Sequence, residues 1–487
     1  MEILNYEVIV LEKLSFDNAE KNVKKAFEGC ADFNSRSIWY CNGKKGVLFN
    51  IGSYTDRGYI SDSILLPIIR LKNTPQRAED VFGVICSSEL MVLTGTNDAI
   101  DKLLMGFAVL FLELEENFAM FACMVRRTGQ RSVQEPDSEV VVRGPREGFI
   151  ENSEDNLALL RKRLKTCDFK SIRLSIGELT STTVYICYIE GIAKVETVNR
   201  IKNCIENSHL PAVLDSGYIE HYLKKSVPSL LPNVGNSEKP DVVAAKLLEG
   251  RVGIICEGSP TVLTAPYLFI ESLQSAEDYL KTPLYAAFIR ILRLLSVLIA
   301  LYLPAFYLST IEHHTSVLPY KLYKTVIELR QDVPFGVLGE LTVILIIFEL
   351  IREVGIRMPR AVGSAVGIVA GLILGDAAIS AGLASAPVIM TASLTAVCTF
   401  IVPPFMNSMV LVRFVNILLS RFFGFPGIVL SLCFIMSTIC RKESFGVPYF
   451  MPFSPLIPRG LCDTLTVLPK KALKHVKSSL YSKNEED

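Results

Sequence analysis

The chain has 487 residues, half of them hydrophobic, and 50 Lys and Arg balance 50 Asp and Glu to a formal net charge of zero. That length makes room for about three domains, and the neutral balance argues against a nucleic-acid partner recruited by charge. A mean hydropathy of +0.36 is high for a soluble protein, and twelve cysteines without a CxxC pair read as reduced thiols, not a disulfide framework.

The N-terminal stretch MEILNYEVIVLEKL carries Glu2 and Glu7 and no apolar core of signal-peptide length. The first half is therefore expected in the cytoplasm. Charge runs throughout the first 280 residues, whereas residues 361–412 hold a single charged side chain, Asp376. This pattern predicts a soluble half joined to a membrane half.

In the soluble half, GVLFNIG (46–52) is a short apolar run closed by Gly52, with a helix-like segment at 60–72. VYICYIEG (184–191) repeats the arrangement, followed by Val195, Val198, Ile201 and Ile205 at helical spacing. The two units suggest a duplicated α/β module. AVLD (212–215), a helix through VVAAKLLE (242–249) and the strand VGIIC (252–256) continue the alternation. The apolar stretch 106–125 has the length of a membrane span, but Glu113, Glu115 and Glu116 at its centre favour a buried hairpin turning at Glu115-Glu116-Asn117. Residues 1 to about 240 are expected to fold as a soluble fragment needing neither disulfide nor metal.

No catalytic constellation emerges: GxSxG, Walker and strand-linked GxGxxG motifs are all missing. CEGSP (256–260) reads as a simple turn. No catalytic residue, cofactor or metal site is therefore expected, and His313-His314, the one histidine cluster, lacks further ligands. RGPREGF (143–149) places Arg143, Arg146 and Glu147 on a glycine-proline loop. It reads as a salt-bridged turn locking two soluble subdomains, or as a contact with a neighbouring subunit or the membrane surface.

The membrane half opens with residues 284–306, long enough to cross about 30 Å of hydrocarbon, with Arg290 and Arg293 placed to snorkel to a surface. A second candidate span, 336–351, carries Glu340 and Glu349 and meets Arg352, Arg357 and Arg360. The third holds Gly363, Gly367, Gly371 and Gly375 at four-residue spacing, a ridge that lets another helix approach closely. That ridge suits packing within one subunit or a ring of identical helices around a pore. Asp376 follows it, and an intramembrane carboxylate is a functional candidate: it either faces a pore, in competition with Glu340, or pairs with Arg413 or Arg421. Glu349, Arg352, Glu353 and Arg357 form a charge ladder along one helix face, read as gate support or as a helix cap. A fourth span, 387–410, is broken by Pro403-Pro404, and a fifth covers about 422–439. Five full spans would put Arg441, Lys442 and the basic tail 470–477 on the far side, against the usual charge bias; either one segment is re-entrant, with the Pro403-Pro404 break as the suspect and four full spans left, or the tail is an exception.

Several strings in series resemble the A subunit of the GerA-type spore germinant receptors. They include SVQEPDSEVVVRGPREGFIEN (132–152), YIEGIAKVETVNRIK (188–202), EKPDVVAAKLLEGRVGIICEGSP (238–260), ESLQSAEDY (271–279) and FELIREVGIRMPRAVGSAVGIVAGLILGDAAISAGL (348–383). The resemblance implies two similar α/β cytoplasmic subdomains, 1–130 and 131–283, an α-helical integral membrane domain, 284–440, and an interfacial segment with a basic tail, 441–487. It implies a homo-oligomeric, nutrient-gated ion channel in the spore inner membrane that releases monovalent cations. Its expected partners are a transporter-like B subunit, a lipoprotein C subunit, further copies of itself and membrane lipid. The competing readings are a transporter with its own substrate site and a scaffold without a pore. Asp376 stands where the family often has Gln, Leu345 where it usually has Glu, and lysines replace its arginine-rich ending.

Overall fold

The computed structural model describes residues 15–125, 139, 144–225, 231–357, 375–457, 461 and 464. They divide into two units, one of residues up to 225 together with 234–266, the other of 231–233 and the residues from Tyr267 onward.

The first unit is the same structure built twice. Its first half runs α1 (Phe16–Ala26), β1 (Phe33–Tyr40), β2 (Lys44–Ile51), α2 (Arg57–Ile60), α3 (Leu66–Ile69), α4 (Glu79–Phe82), β3 (Leu90–Val92), α5 (Thr96–Leu104), β4 (Phe107–Glu113) and β5 (Phe118–Met124). Its second half runs α6 (Ser153–Arg163), β6 (Phe169–Ile176), β7 (Thr182–Ile189), α7 (Val195–Glu206), α8 (Ser216–Lys225), β8 (Gly235–Ser237), α9 (Pro240–Leu248), β9 (Val252–Cys256) and β10 (Val262–Ala265). The sheets have orders β1-β2-β4-β5-β3 and β6-β7-β9-β10-β8, position for position the same.

Each strand sends alternate side chains to opposite faces. Leu48, Ala108, Leu110 and Leu112 face the segment holding Ile60, Ile64 and Ile68. Val47, Phe49, Val109 and Phe111 face Phe16, Val23 and Leu103 of α1 and α5. Both faces of this sheet are covered, which is why its central strands read as unbroken apolar runs. The stretch 106–125 is accordingly the hairpin β4–β5, with Leu114 N donating to Asn117 O at 2.7 Å and the two following glutamates exposed at the turn.

One expectation changes here. A fragment ending near residue 240 would leave β7 without β9, which pairs with it from Val184↔Cys256 to Cys187↔Gly253. The folded unit has to run through Ala265.

The second unit contains α10 (Pro283–Glu312), α11 (Tyr320–Glu328), α12 (Val337–Arg357), the helical residues 375–380 (α13), α14 (Ala386–Phe400), α15 (Met406–Phe423) and α16 (Phe425–Arg441). The segments Pro283–Glu312 and Pro403–Phe423 are long and apolar enough to cross a membrane, and α14 and α16 are shorter apolar helices. The proposed fourth span, 387–410, is two helices. Pro403-Pro404 end α14 because neither ring nitrogen can donate a helical hydrogen bond, and a 3-10 turn at Pro403–Phe405 starts α15. Residues 267–282, placed with the soluble half by sequence, group with the helical unit.

Candidate functional site

The helical unit holds charge where its helices are apolar, and each buried group has a defined partner. Pro304, inside α10, has no N–H to give to the carbonyl four residues back. That carbonyl, on Ala300, receives the Arg413 Nε at 3.0 Å instead. Arg413 is 1 % exposed. Its Nη2 donates to Thr399 Oγ1 on α14 at 2.5 Å, and its Nη1 lies 3.5 Å from Glu349 Oε1 on α12. One guanidinium thus ties four helices around a proline kink. The seam continues along α15 at helical spacing, with Asn416 donating to Leu301 O at 3.0 Å and Ser420 to Ala305 O at 2.6 Å. Ser431 of α16 donates to Asn416 Oδ1.

Glu340 is the second centre. Its carboxylate is buried and accepts from both the backbone N–H and the hydroxyl of Ser385. Ser385 is the residue before α14, so Glu340 supplies negative charge to the unsatisfied N–H end of that helix. Arg330 Nε approaches its other oxygen at 3.4 Å.

The third centre corrects an expectation. Arg290 and Arg293 do not snorkel outward; they converge on Asp278, which is fully buried. Arg293 makes a forked contact with it at 2.6 and 3.0 Å, and Arg290 Nε lies at 3.4 Å. A charge pair buried this well is costly to break, so it pins the start of α10 to the turn Ala276–Leu280.

Gly363, Gly367 and Gly371 lie outside the described residues, as does Arg143. Gly375 and Asp376 are described. Asp376 is exposed and makes no ion pair among the described residues. The proposed pairing with Arg413 or Arg421 is absent, because Arg413 is taken by Glu349 and Arg421 by Glu312 at 2.5 Å. The charge ladder is formed: Glu349 pairs with Arg352 at 2.8 Å and Glu353 with Arg357 at 2.8 Å. What the sequence missed is that Glu349 also faces Arg413. His313 and His314 serve packing, His313 Nε2 against Arg421 O at 2.9 Å and His314 stacked on Phe425 at 4.4 Å.

In the first unit, Arg146 is exposed and Glu147 pairs with Lys162 at 3.0 Å and Arg163 at 2.7 Å, both on α6. The hydrogen bond from Lys162, joined by that from Arg163, outweighs the opposing effect of burial and holds the Glu147 carboxyl below its usual range. Those contacts stay within the second subdomain. A buried junction between the subdomains is formed elsewhere. Asp32, just before β1, accepts from Arg161 Nε and Nη2 at 2.6 Å each, and from Ser53 at 2.9 Å and Ser171 at 3.3 Å. Ala31 N also donates to Ser171 O at 2.8 Å. Among the described residues no group of His, Cys, Asp and Glu is arranged to hold a metal.

Comparison with known proteins places these features in context. The model of the family described as "Bacillus/Clostridium GerA spore germination protein" matches residues 21–478. "Uncharacterized membrane protein YfkQ" of Bacillus subtilis (strain 168) is 34% identical over 89% of this chain and 85% of its own. "Spore germination protein KA" of the same organism is 33% identical over 86% of this chain and 78% of its own. "Spore germination protein A1" is 33% identical over 76% and 77% respectively. Among solved structures, the N-terminal domain of the A subunit of the Bacillus megaterium spore germinant receptor GerK3 aligns with 26% identity and a TM-score of 0.40, over 52% of this chain and 95% of that one.

Proposed function

The chain belongs to the GerA spore germination protein family, and from that membership we propose that it is the A subunit of a spore germinant receptor. In this reading it lies in the spore inner membrane with its soluble unit in the cytoplasm. It self-associates into a ring beside a transporter-like B subunit and a lipoprotein C subunit, and conducts monovalent cations when germinant is sensed. The reading assigns it no catalysis and no cofactor.

Asp376 is the observation that carries the conducting role. It is exposed, and it is the one charged residue in 361–412. A carboxylate in an apolar membrane segment has to face water or another protein chain. Among the described residues nothing lies within 4 Å of where a Cβ on the neighbouring Gly375 would stand, which leaves room there for a second helix to approach. A ring of such carboxylates would favour cations over anions.

The seam from Arg413 to Ser420 favours a second reading, since it fixes four helices as a rigid scaffold would need. Asp376→Asn separates the two. The substitution keeps size and removes charge, so the conducting role predicts normal membrane abundance with slowed cation release from spores after nutrient is added. Normal abundance with normal release would remove Asp376 from a pore and leave the scaffold.

A further inference from the structure

We propose that α11 is an interfacial helix that seats on the anionic headgroup layer of the bilayer, at the end of the helical unit where α10 finishes. The inference rests on the membrane reading above but not on conduction.

α11 lies between α10, which ends at Glu312, and α12, which begins at Val337. If α10 spans the bilayer, connectivity holds α11 at its surface. The helix carries more apolar face than its own unit covers. Val326 is its buried residue, 8 % exposed. On one side of that strip, Leu322 and Leu329 stand at i−4 and i+3, 49 % and 50 % exposed. On the other side Tyr320 and Ile327, seven residues apart and so on one face, are 77 % and 39 % exposed. The opposite face is polar, with Lys321, Lys324 and Glu328 exposed and Lys324 3.6 Å from Glu328.

Two apolar shoulders below a lysine-bearing face are what a helix needs to lie in a headgroup layer. The shoulders reach the acyl boundary while the lysines snorkel to phosphates. Uncovered shoulders facing water would lose that gain. Two residues after α11, Arg330 reaches Glu340, the carboxylate that holds Ser385, the residue capping the start of α14. The seating of α11 on lipid is thereby linked to the start of α14.

The test uses the full chain reconstituted in vesicles of phosphatidylcholine and phosphatidylglycerol in equal parts, with bromine on the acyl chains as a contact quencher of indole fluorescence. The one native tryptophan, Trp39, is removed by Trp39→Phe. Leu322→Trp or Leu329→Trp then places an indole on the α11 shoulder, and Leu298→Trp places one on the exposed side of α10 as the control. The expected result is quenching of the α11 indole that is strongest with bromine near the headgroup, and of the α10 indole with bromine near the chain end. Omitting phosphatidylglycerol, or combining Lys321→Glu with Lys324→Glu, should weaken the α11 signal and leave the α10 signal unchanged. A quenched α10 indole beside unquenched α11 indoles in both variants overturns the proposal, as would happen if another copy or a different protein covered this face. If the α10 indole is also unquenched, the membrane reading itself has failed and this inference falls with it.

Discussion

Asp32→Asn should loosen the junction between the two α/β subdomains more than any surface substitution. The Asp32 and Arg161 side chains are 5% and 1% exposed, joined by two contacts of 2.6 Å. Asparagine keeps the volume but offers one acceptor oxygen where the carboxylate offered two, and it leaves a guanidinium buried without its counter-charge. Breaking a buried pair in this way costs about 3–5 kcal/mol. For a unit of this size each kcal/mol lowers the melting temperature by about 2–4 °C, so a fall of about 6–20 °C is expected. The measurement is thermal unfolding of a fragment ending at Pro266, wild type against Asp32→Asn. Burial alone would raise the Asp32 pKa, but the Arg161 guanidinium and the bond from Ser53 outweigh it and hold the carboxyl below its usual range. The folded value is depressed, so its stabilisation is complete above the unfolded value near pH 4 and is lost as pH falls through the folded one. The gap between the two proteins should therefore stay constant from neutral pH down to about pH 4 and narrow below it. A fall of less than about 2 °C at neutral pH, or a gap that widens in acid, would refute the reasoning.

Truncation offers a second check: a fragment ending at Pro266 should be soluble and cooperatively folded under reducing conditions, while one ending at residue 240 should aggregate for want of β9 and β10. Solubility and circular dichroism of the two fragments decide it, and equal folding of both would refute the pairing argument. Arg413→Met should lower the stability of the detergent-extracted chain by about 1–3 kcal/mol, because it leaves the Ala300 carbonyl without a donor while Glu349 keeps Arg352. Adding Pro304→Ala gives that carbonyl a backbone N–H and should recover about 1 kcal/mol in the Arg413→Met background while recovering nothing in wild type. Equal effects of Pro304→Ala in both backgrounds would break the link between proline and arginine.

The duplication in the first unit was legible because each copy announces itself locally, an apolar strand closed by Gly52 or Gly191 and followed by a helix. The hairpin at 106–125 was legible for a similar reason, since three glutamates interrupt an apolar run at the point where it turns. The Asp32–Arg161 junction was not legible, because its two residues are 129 apart and each sits in unremarkable local sequence. Arg290 and Arg293 were misread because hydropathy sees only the helix that carries them. The signal that could have placed them lies twelve residues upstream of Arg290, where Ser275 and Asp278 have the spacing of a capping box and put a carboxylate just ahead of α10. The charge ladder was read from its i, i+3 and i+4 spacing, but spacing within one helix is silent about Arg413 on another.

The course of the helical unit follows from its ends, without counting every pass. α10 and α15 run parallel, since Ala300, Leu301 and Ala305 meet Arg413, Asn416 and Ser420 in rising order. At the far end of α10, Glu312 meets Arg421 at the end of α15. α16 begins at that end and returns. Where it finishes, Tyr267 N donates to Ser444 Oγ at 3.1 Å and Phe269 N to Tyr449 O at 3.0 Å. The chain thus enters the helical unit and leaves α16 at the same end. The sequence left four or five spans open, with Pro403-Pro404 as the suspected re-entrant break; at that break α14 ends and α15 starts. Phe405 at that turn stacks on Phe269 at 5.2 Å, which puts the turn at the same end as Tyr267 and Tyr449. Arg441 and Lys442 therefore return to the end where the unit begins, the side on which the charge bias would put them in the membrane reading proposed above.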